Sequence, residues 1–111
     1  EEKVIIIGDL NDALNDTSIN NVFNDFLNDS ISFQFADMEI ALGTETNWSY
    51  PDWPSHLDHI IITNELYDMF SNPRSIIQTI HVENYVDGGK NKYNEYISDH
   101  LPVSLQLKLN P

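Results

Sequence analysis

The chain has 111 residues, with 18 Asp and Glu against 5 Lys and Arg and a net charge of −13 at pH 7. That length suits one core of modest size, and a 41% hydrophobic content is far from a disordered composition. The absence of cysteine removes disulfides and thiolate metal sites, and so acidic a surface repels phosphate backbones unless divalent cations intervene.

Val4-Ile5-Ile6-Ile7 is a β-branched run that predicts a strand buried on both faces. Gly8 permits a sharp exit. Asp9-Leu10-Asn11-Asp12 then puts polar groups at the C-terminal end of a central strand, where open α/β sheets hold ligands. Over residues 17–28 the spacing of Ile19, Val22, Phe23, Phe26 and Leu27 predicts one helix face, with Asp16, Thr17 or Ser18 as cap. Ile31, Phe33 and Phe35 alternate with polar residues in a short extended segment, and residues 37–42 read as a short helix stopped by Gly43.

Residues 44–55 are irregular. Their aromatic residues Trp48, Tyr50 and Trp53 either rim a substrate site or fold over the core edge. His56-Leu57-Asp58-His59 leads into Ile60-Ile61-Ile62-Thr63, a second buried strand. Residues 64–70 can form a short helix, and residues 75–82 are extended, with Ile76, Ile80 and Val82 on one face. Residues 84–95, containing Asp87-Gly88-Gly89-Lys90-Asn91, read as a mobile loop or hairpin tip. Val103, Leu105, Leu107 and Leu109 alternate in a last strand after Pro102. No apolar run reaches the roughly 18–20 residues that span a bilayer. The outline is α/β, a β-sheet layer flanked by short helices.

Three polar sites stand at strand ends. Asp9 can take a proton from water or hold a metal, and Asn11 can donate to a phosphoryl oxygen; the same residues also suit a plain Asx-turn. Asp58, at the start of an apolar strand, is expensive to bury without a partner, and an imidazole is the natural one. Asp99 and His100, fixed just before a strand, suit metal binding or proton transfer, or else a capped turn. His56, His59 and His81 have no ligand spacing and read as surface or half-buried histidines.

In order, Gly8-Asp9-x-Asn11, x-Asp58-His59-Ile60 and Ser98-Asp99-His100-x-Pro102-Val103 resemble the C-terminal half of the endonuclease/exonuclease/phosphatase superfamily, over nearly the whole chain. The resemblance implies half of a four-layer α/β/β/α sandwich of the deoxyribonuclease I type, with residues 1–111 as the C-terminal portion of the domain. It also implies a phosphoesterase dependent on Mg2+, with Mn2+ or Ca2+ as alternatives, in which water attacks phosphorus in line. Carried over by motif, Asp9 orients or deprotonates that water, Asn11 holds the phosphate, and His100 contacts it and stabilises its developing charge. Asp58 orients a histidine, most simply His100, and Asp99 helps to hold the metal.

In that family an N-terminal layer supplies an Asn and the principal metal-binding Glu, which these residues lack. The start at Glu1-Glu2-Lys3-Val4, without a methionine, fits the same expectation of a fragment. Such a fragment is expected to have little activity alone. Its uncovered sheet face should associate with itself or with a complementing layer. The phosphate-ester substrate stays open between nucleic acid, lipid headgroup and sugar phosphate. The segment from Ser49-Tyr50-Pro51 to Asp58 is similar to bacterial secreted members, a hint of a secreted or periplasmic protein.

Gly8-Asp9-x-x-Asp12 also fits calcineurin-like metallophosphatases, but their Gly-Asn-His-Asp or Glu element is missing. The other class to weigh is a non-catalytic acidic binding or interaction module, loading calcium through oxygen ligands. Whether Asp9, Asn11, Asp99 and His100 converge separates the two.

Overall fold

Three consecutive isoleucines, Ile60, Ile61 and Ile62, make strand Asp58–Thr63 the centre of the molecule, each of them at most 2% exposed. Alternation along a strand sends Ile61 to one side and its two neighbours to the other. Ile61 packs among Leu14, Phe23, Phe35 and Ala41, while Ile60 and Ile62 pack with Ala36, Leu66, Ile77, Val103 and Leu105. β-branched side chains on a pleated surface fill both layers without polar atoms to satisfy.

In the computed structural model, which describes residues 2–109, this strand is the third of five. β1 (Ile5–Asp9) and β2 (Phe33–Phe35) flank β3 (Asp58–Thr63), both antiparallel, in the order β1-β3-β2. β4 (Ile76–Thr79) and β5 (Val103–Gln106) form a second, two-stranded antiparallel sheet. Four short helices, α1 (Asn24–Leu27), α2 (Met38–Ala41), α3 (Tyr67–Phe70) and α4 (Gly89–Tyr96), connect and cover the strands. The protein is an α/β domain with small antiparallel sheets. Among the described residues, no helix is long and apolar enough to cross a membrane.

Several elements depart from the sequence expectation, each for a local reason. β1 is an edge strand rather than a buried central one, and Ile5 and Ile7 are 47% and 67% exposed. A β-branched run specifies a strand, but not what covers it. Gly8 stays inside β1; the reversal comes at Asn11, whose φ is +54°, a left-handed conformation that Asn tolerates better than most residues.

The helix expected over residues 17–28 shrinks to α1. Asn21 is buried and folds back on the chain, donating through Nδ2 to the Leu14 carbonyl and accepting the Phe23 N–H on Oδ1. Those bonds compete with the helical ladder, so Ile19 and Val22 end up exposed. Conversely, α4 occupies the stretch expected to be a loop tip. Gly88 at φ +91° starts it, with the space a Cβ would need taken by the Lys92 side chain. Tyr93, buried, anchors it by donating from its hydroxyl to the His100 carbonyl at 2.6 Å.

Candidate functional site

Asp9 ends β1 and Asp58 begins β3, and the two stand directly opposite in register. Like charges facing each other across a strand pair repel. His100, on the turn before β5, offsets them. Its Nδ1–H donates to Asp58 Oδ2 at 2.6 Å, and its Nε2 lies 3.8 Å from Asp9 Oδ2. The backbone on either side is fixed, since the His100 N–H donates to Ser98 Oγ at 2.9 Å and its carbonyl takes the Tyr93 hydroxyl. The Tyr50 ring sits 5.1 Å from the imidazole, tilted by 36°. Partial burial works against a charged imidazole, but the Asp58 hydrogen bond and the charges of Asp58, Asp9 and Asp99 outweigh it, so its pKa is raised.

Of the residues singled out from the sequence, Asp9, Asp58 and His100 therefore meet. Asn11 and Asp99 are neighbours of that meeting point rather than members of it, so of the four residues whose convergence separates an esterase from a binding module only Asp9 and His100 come together. Asn11 donates its backbone N–H to Asp9 Oδ1 at 2.9 Å, an Asx-turn that leaves the residue exposed. Asp99 is exposed beside His100 and adds to the field on it, but is not one of the groups whose ligand atoms converge. A small cleft lined by Ile7, Gly8, Asp58, Ile60 and Val103 opens beside the three. A larger groove lies apart, between Glu39, Gly43, Thr44, Thr79 and His81, and holds none of the motif residues.

A second group was not foreseen. Asp37, before α2, and His56 and His59, at the entry to β3, are each at most 3% exposed. Asp37 Oδ2 meets His56 Nε2 at 2.9 Å and His59 Nδ1 at 2.6 Å, and its Oδ1 accepts the Ile60 N–H at 2.8 Å. The partners assign the protons. His56 Nδ1 accepts the Ser49 N–H at 3.2 Å, so the ring is neutral and donates from Nε2. His59 faces an acceptor on both sides, since its Nε2 also lies 2.6 Å from the Asp12 carbonyl. It is an imidazolium paired with the Asp37 carboxylate. Burial opposes charge on both, yet the hydrogen bonds prevail. The Asp37 pKa is lowered by His56, His59 and the Ile60 N–H, and that of His59 is raised by Asp37 and the Asp12 carbonyl.

Both groups, Asp9/Asp58/His100 and Asp37/His56/His59, bring their ligand atoms within 4.8 Å of one another and could hold a metal ion. Their donor sets differ. A cation on His56 Nε2 would force the ring proton onto Nδ1, head-on to the Ser49 N–H, so the buried hydrogen bonds fit a metal poorly. At the open group, the carboxylate oxygens of exposed Asp9 and half-buried Asp58 suit a hard divalent cation, while both imidazole nitrogens of His100 are already turned toward carboxylates. Ser49, His56 and Asp37 also bring together the residue types of a nucleophilic triad. Here, though, Ser49 Oγ accepts the N–H groups of Leu57 and Asp58 and the backbone N–H meets His56, so no hydroxyl is activated.

The signal that could have found the buried group lies in His56-Leu57-Asp58-His59. Period-two alternation turns Asp58 to one face of β3 and His59 to the other, so the two cannot serve one site.

Comparison of the chain with protein-family models, with curated proteins and with solved structures gave no match.

Proposed function

We propose that this chain carries half of the active site of a divalent-metal-dependent phosphoric ester hydrolase, on half of a deoxyribonuclease I-like α/β/β/α sandwich. The observation that carries the reading is the meeting of Asp9, Asp58 and His100, residues from three strand ends, around one imidazole at 2.6 and 3.8 Å. Asp58 fixes the ring and favours its charged form. That leaves the Nε2 proton available to a phosphoryl oxygen whose charge grows during in-line attack. Asp9, exposed and within reach of the same space, takes the proton of the attacking water or orients it. Asn11 projects from the adjoining turn as the phosphate-binding amide.

Asp99, beside the converging carboxylates of Asp9 and Asp58 but not among them, would hold the metal together with those two; Mg2+ is the first choice, and Mn2+ or Ca2+ fit the same oxygen donors. When bound, it supplies Lewis-acid stabilisation of the phosphoryl oxygens. A second β-layer, from the same protein or a complementing chain, covers the exposed isoleucines of β1 and completes the site.

Hydrolysis of plasmid DNA, bis-p-nitrophenyl phosphate, sphingomyelin and an inositol phosphate, with magnesium and with chelator, tests the reading. We expect metal-dependent turnover that falls by about 10²–10⁴-fold in Asp9→Ala and in His100→Ala. Full turnover by residues 1–111 alone would refute the half-site. Absence of turnover on every substrate, with both variants like the parent, would favour an acidic, calcium-loading binding module.

A further inference from the structure

We infer that Ser49 is the positioning residue for the Asp58–His100 pair, holding from behind two residues that lie 42 positions apart. The functional consequence rests on the phosphoesterase reading; the geometry does not. Ser49 has no exposed surface and immediately precedes the antiparallel bridge between Tyr50 and Ser55. Its Oγ accepts the N–H of Leu57 at 3.0 Å and of Asp58 at 3.1 Å. Its carbonyl accepts the N–H of Leu101, the residue after His100, at 2.7 Å. Thus one buried residue grips the backbone of Asp58 and that of the residue directly after His100, on both sides of the 2.6 Å contact.

The fourth bond extends that grip. The Ser49 N–H donates to His56, His56 to Asp37, and Asp37 is paired with His59, which donates to the Asp12 carbonyl. Asp12 follows the turn that carries Asp9 and Asn11. All three strand ends of the front site are therefore tied to one hydrogen-bonded chain behind it. Ser49, His56, Asp37 and His59 are buried, and each bond has a single assignable donor, so the chain sets a position rather than moving protons. A misplacement of about 1 Å at a reacting group costs on the order of 10²-fold in rate, which is the scale of effect such a residue controls.

Two measurements on Ser49→Ala test this. The first needs no substrate. In the ¹⁵N-labelled protein, the Nδ1–H proton of His100, shifted downfield by its short bond to Asp58, should move upfield or broaden by exchange. The second is kinetic. In the complete protein, kcat should fall about 10- to 100-fold while KM changes less than about threefold, because alignment and not substrate binding is lost. Ser49→Cys, nearly the same shape with a weak acceptor, should give intermediate values and serves if Ser49→Ala does not fold. An unchanged His100 resonance in a folded variant overturns the inference. A displaced resonance in a protein with no phosphoesterase turnover overturns the functional reading instead and leaves the positioning role standing.

Discussion

Behind β3, Asp37 meets His59 at 2.6 Å with neither side chain exposed; in front, Asp58 meets His100 at the same 2.6 Å with both about a fifth exposed. The chemistry is the same and so is the distance. What differs is how many hydrogen-bonding positions remain. Both oxygens of Asp37 and both nitrogens of His56 and His59 have fixed protein partners, so nothing is left to bind or react. In front, His100 Nε2 stands 3.8 Å from Asp9, beyond hydrogen-bond range, and Asp9 is 49% exposed. Burial with full satisfaction makes a brace, whereas partial exposure with one unmade bond makes a site.

Breaking the brace should cost most. Asp37→Ala leaves the His59 imidazolium buried and unpaired, and is expected to destabilise the fold by about 3–5 kcal/mol. Asp58→Ala, whose partner can turn to water, should cost about 1 kcal/mol or less. Urea midpoints of the two variants check this, and equal losses would erase the distinction between the two groups.

Acidity sharpens the comparison at smaller amplitude. Asp37 is held below its usual pKa, so its contribution to stability is present above about pH 4 and lost as the pH falls through its folded value. His59 is held above its usual pKa, so its contribution is present below about pH 6.5 and lost as the pH rises through the folded value. The stability difference between the parent and Asp37→Asn should therefore peak between about pH 4 and 6.5. A difference that stays flat from acid to alkali would mean that the pair is not charged.

The smallest expected effect lies at the turn between the two groups. Asn11→Gly relieves the left-handed backbone at φ +54° and should change stability by less than about 1 kcal/mol, with a slight gain as the expected sign. The same variant removes the carboxamide that we assign to the phosphate. Unchanged stability together with lost turnover would separate the turn's architecture from its chemistry; unchanged turnover would leave Asn11 a turn residue only.

Much of this was legible in the sequence, and the limits have physical causes. Ile60, Ile61 and Ile62 announced a buried strand because an apolar run of that kind has few other stable places. Asp9, Asp58 and His100 could be read because each sits at a strand end, where local sequence fixes position. Of the brace only the alternation in His56-Leu57-Asp58-His59 was legible; Asp37 and Ser49 join it through tertiary hydrogen bonds that no local spacing announces. α4 was hidden by its own glycines. Gly88 and Gly89 signal a turn, and they do make one, but the residues after them are held helical by Tyr93, an anchor that depends on the distant His100 carbonyl.

The edge position of β1 has a consequence for how the molecule opens. One neighbouring strand holds it, and its isoleucines are largely wet, so its detachment costs less free energy than the unfolding of the core. Detachment would carry Asp9 and Asn11 away while Ser49 still clasps Asp58 and the segment bearing His100. A sub-global fluctuation at one margin of the sheet thus removes the Asp9 carboxylate and leaves the Asp58–His100 pair intact, so on the proposed reading loss of function would precede loss of the fold.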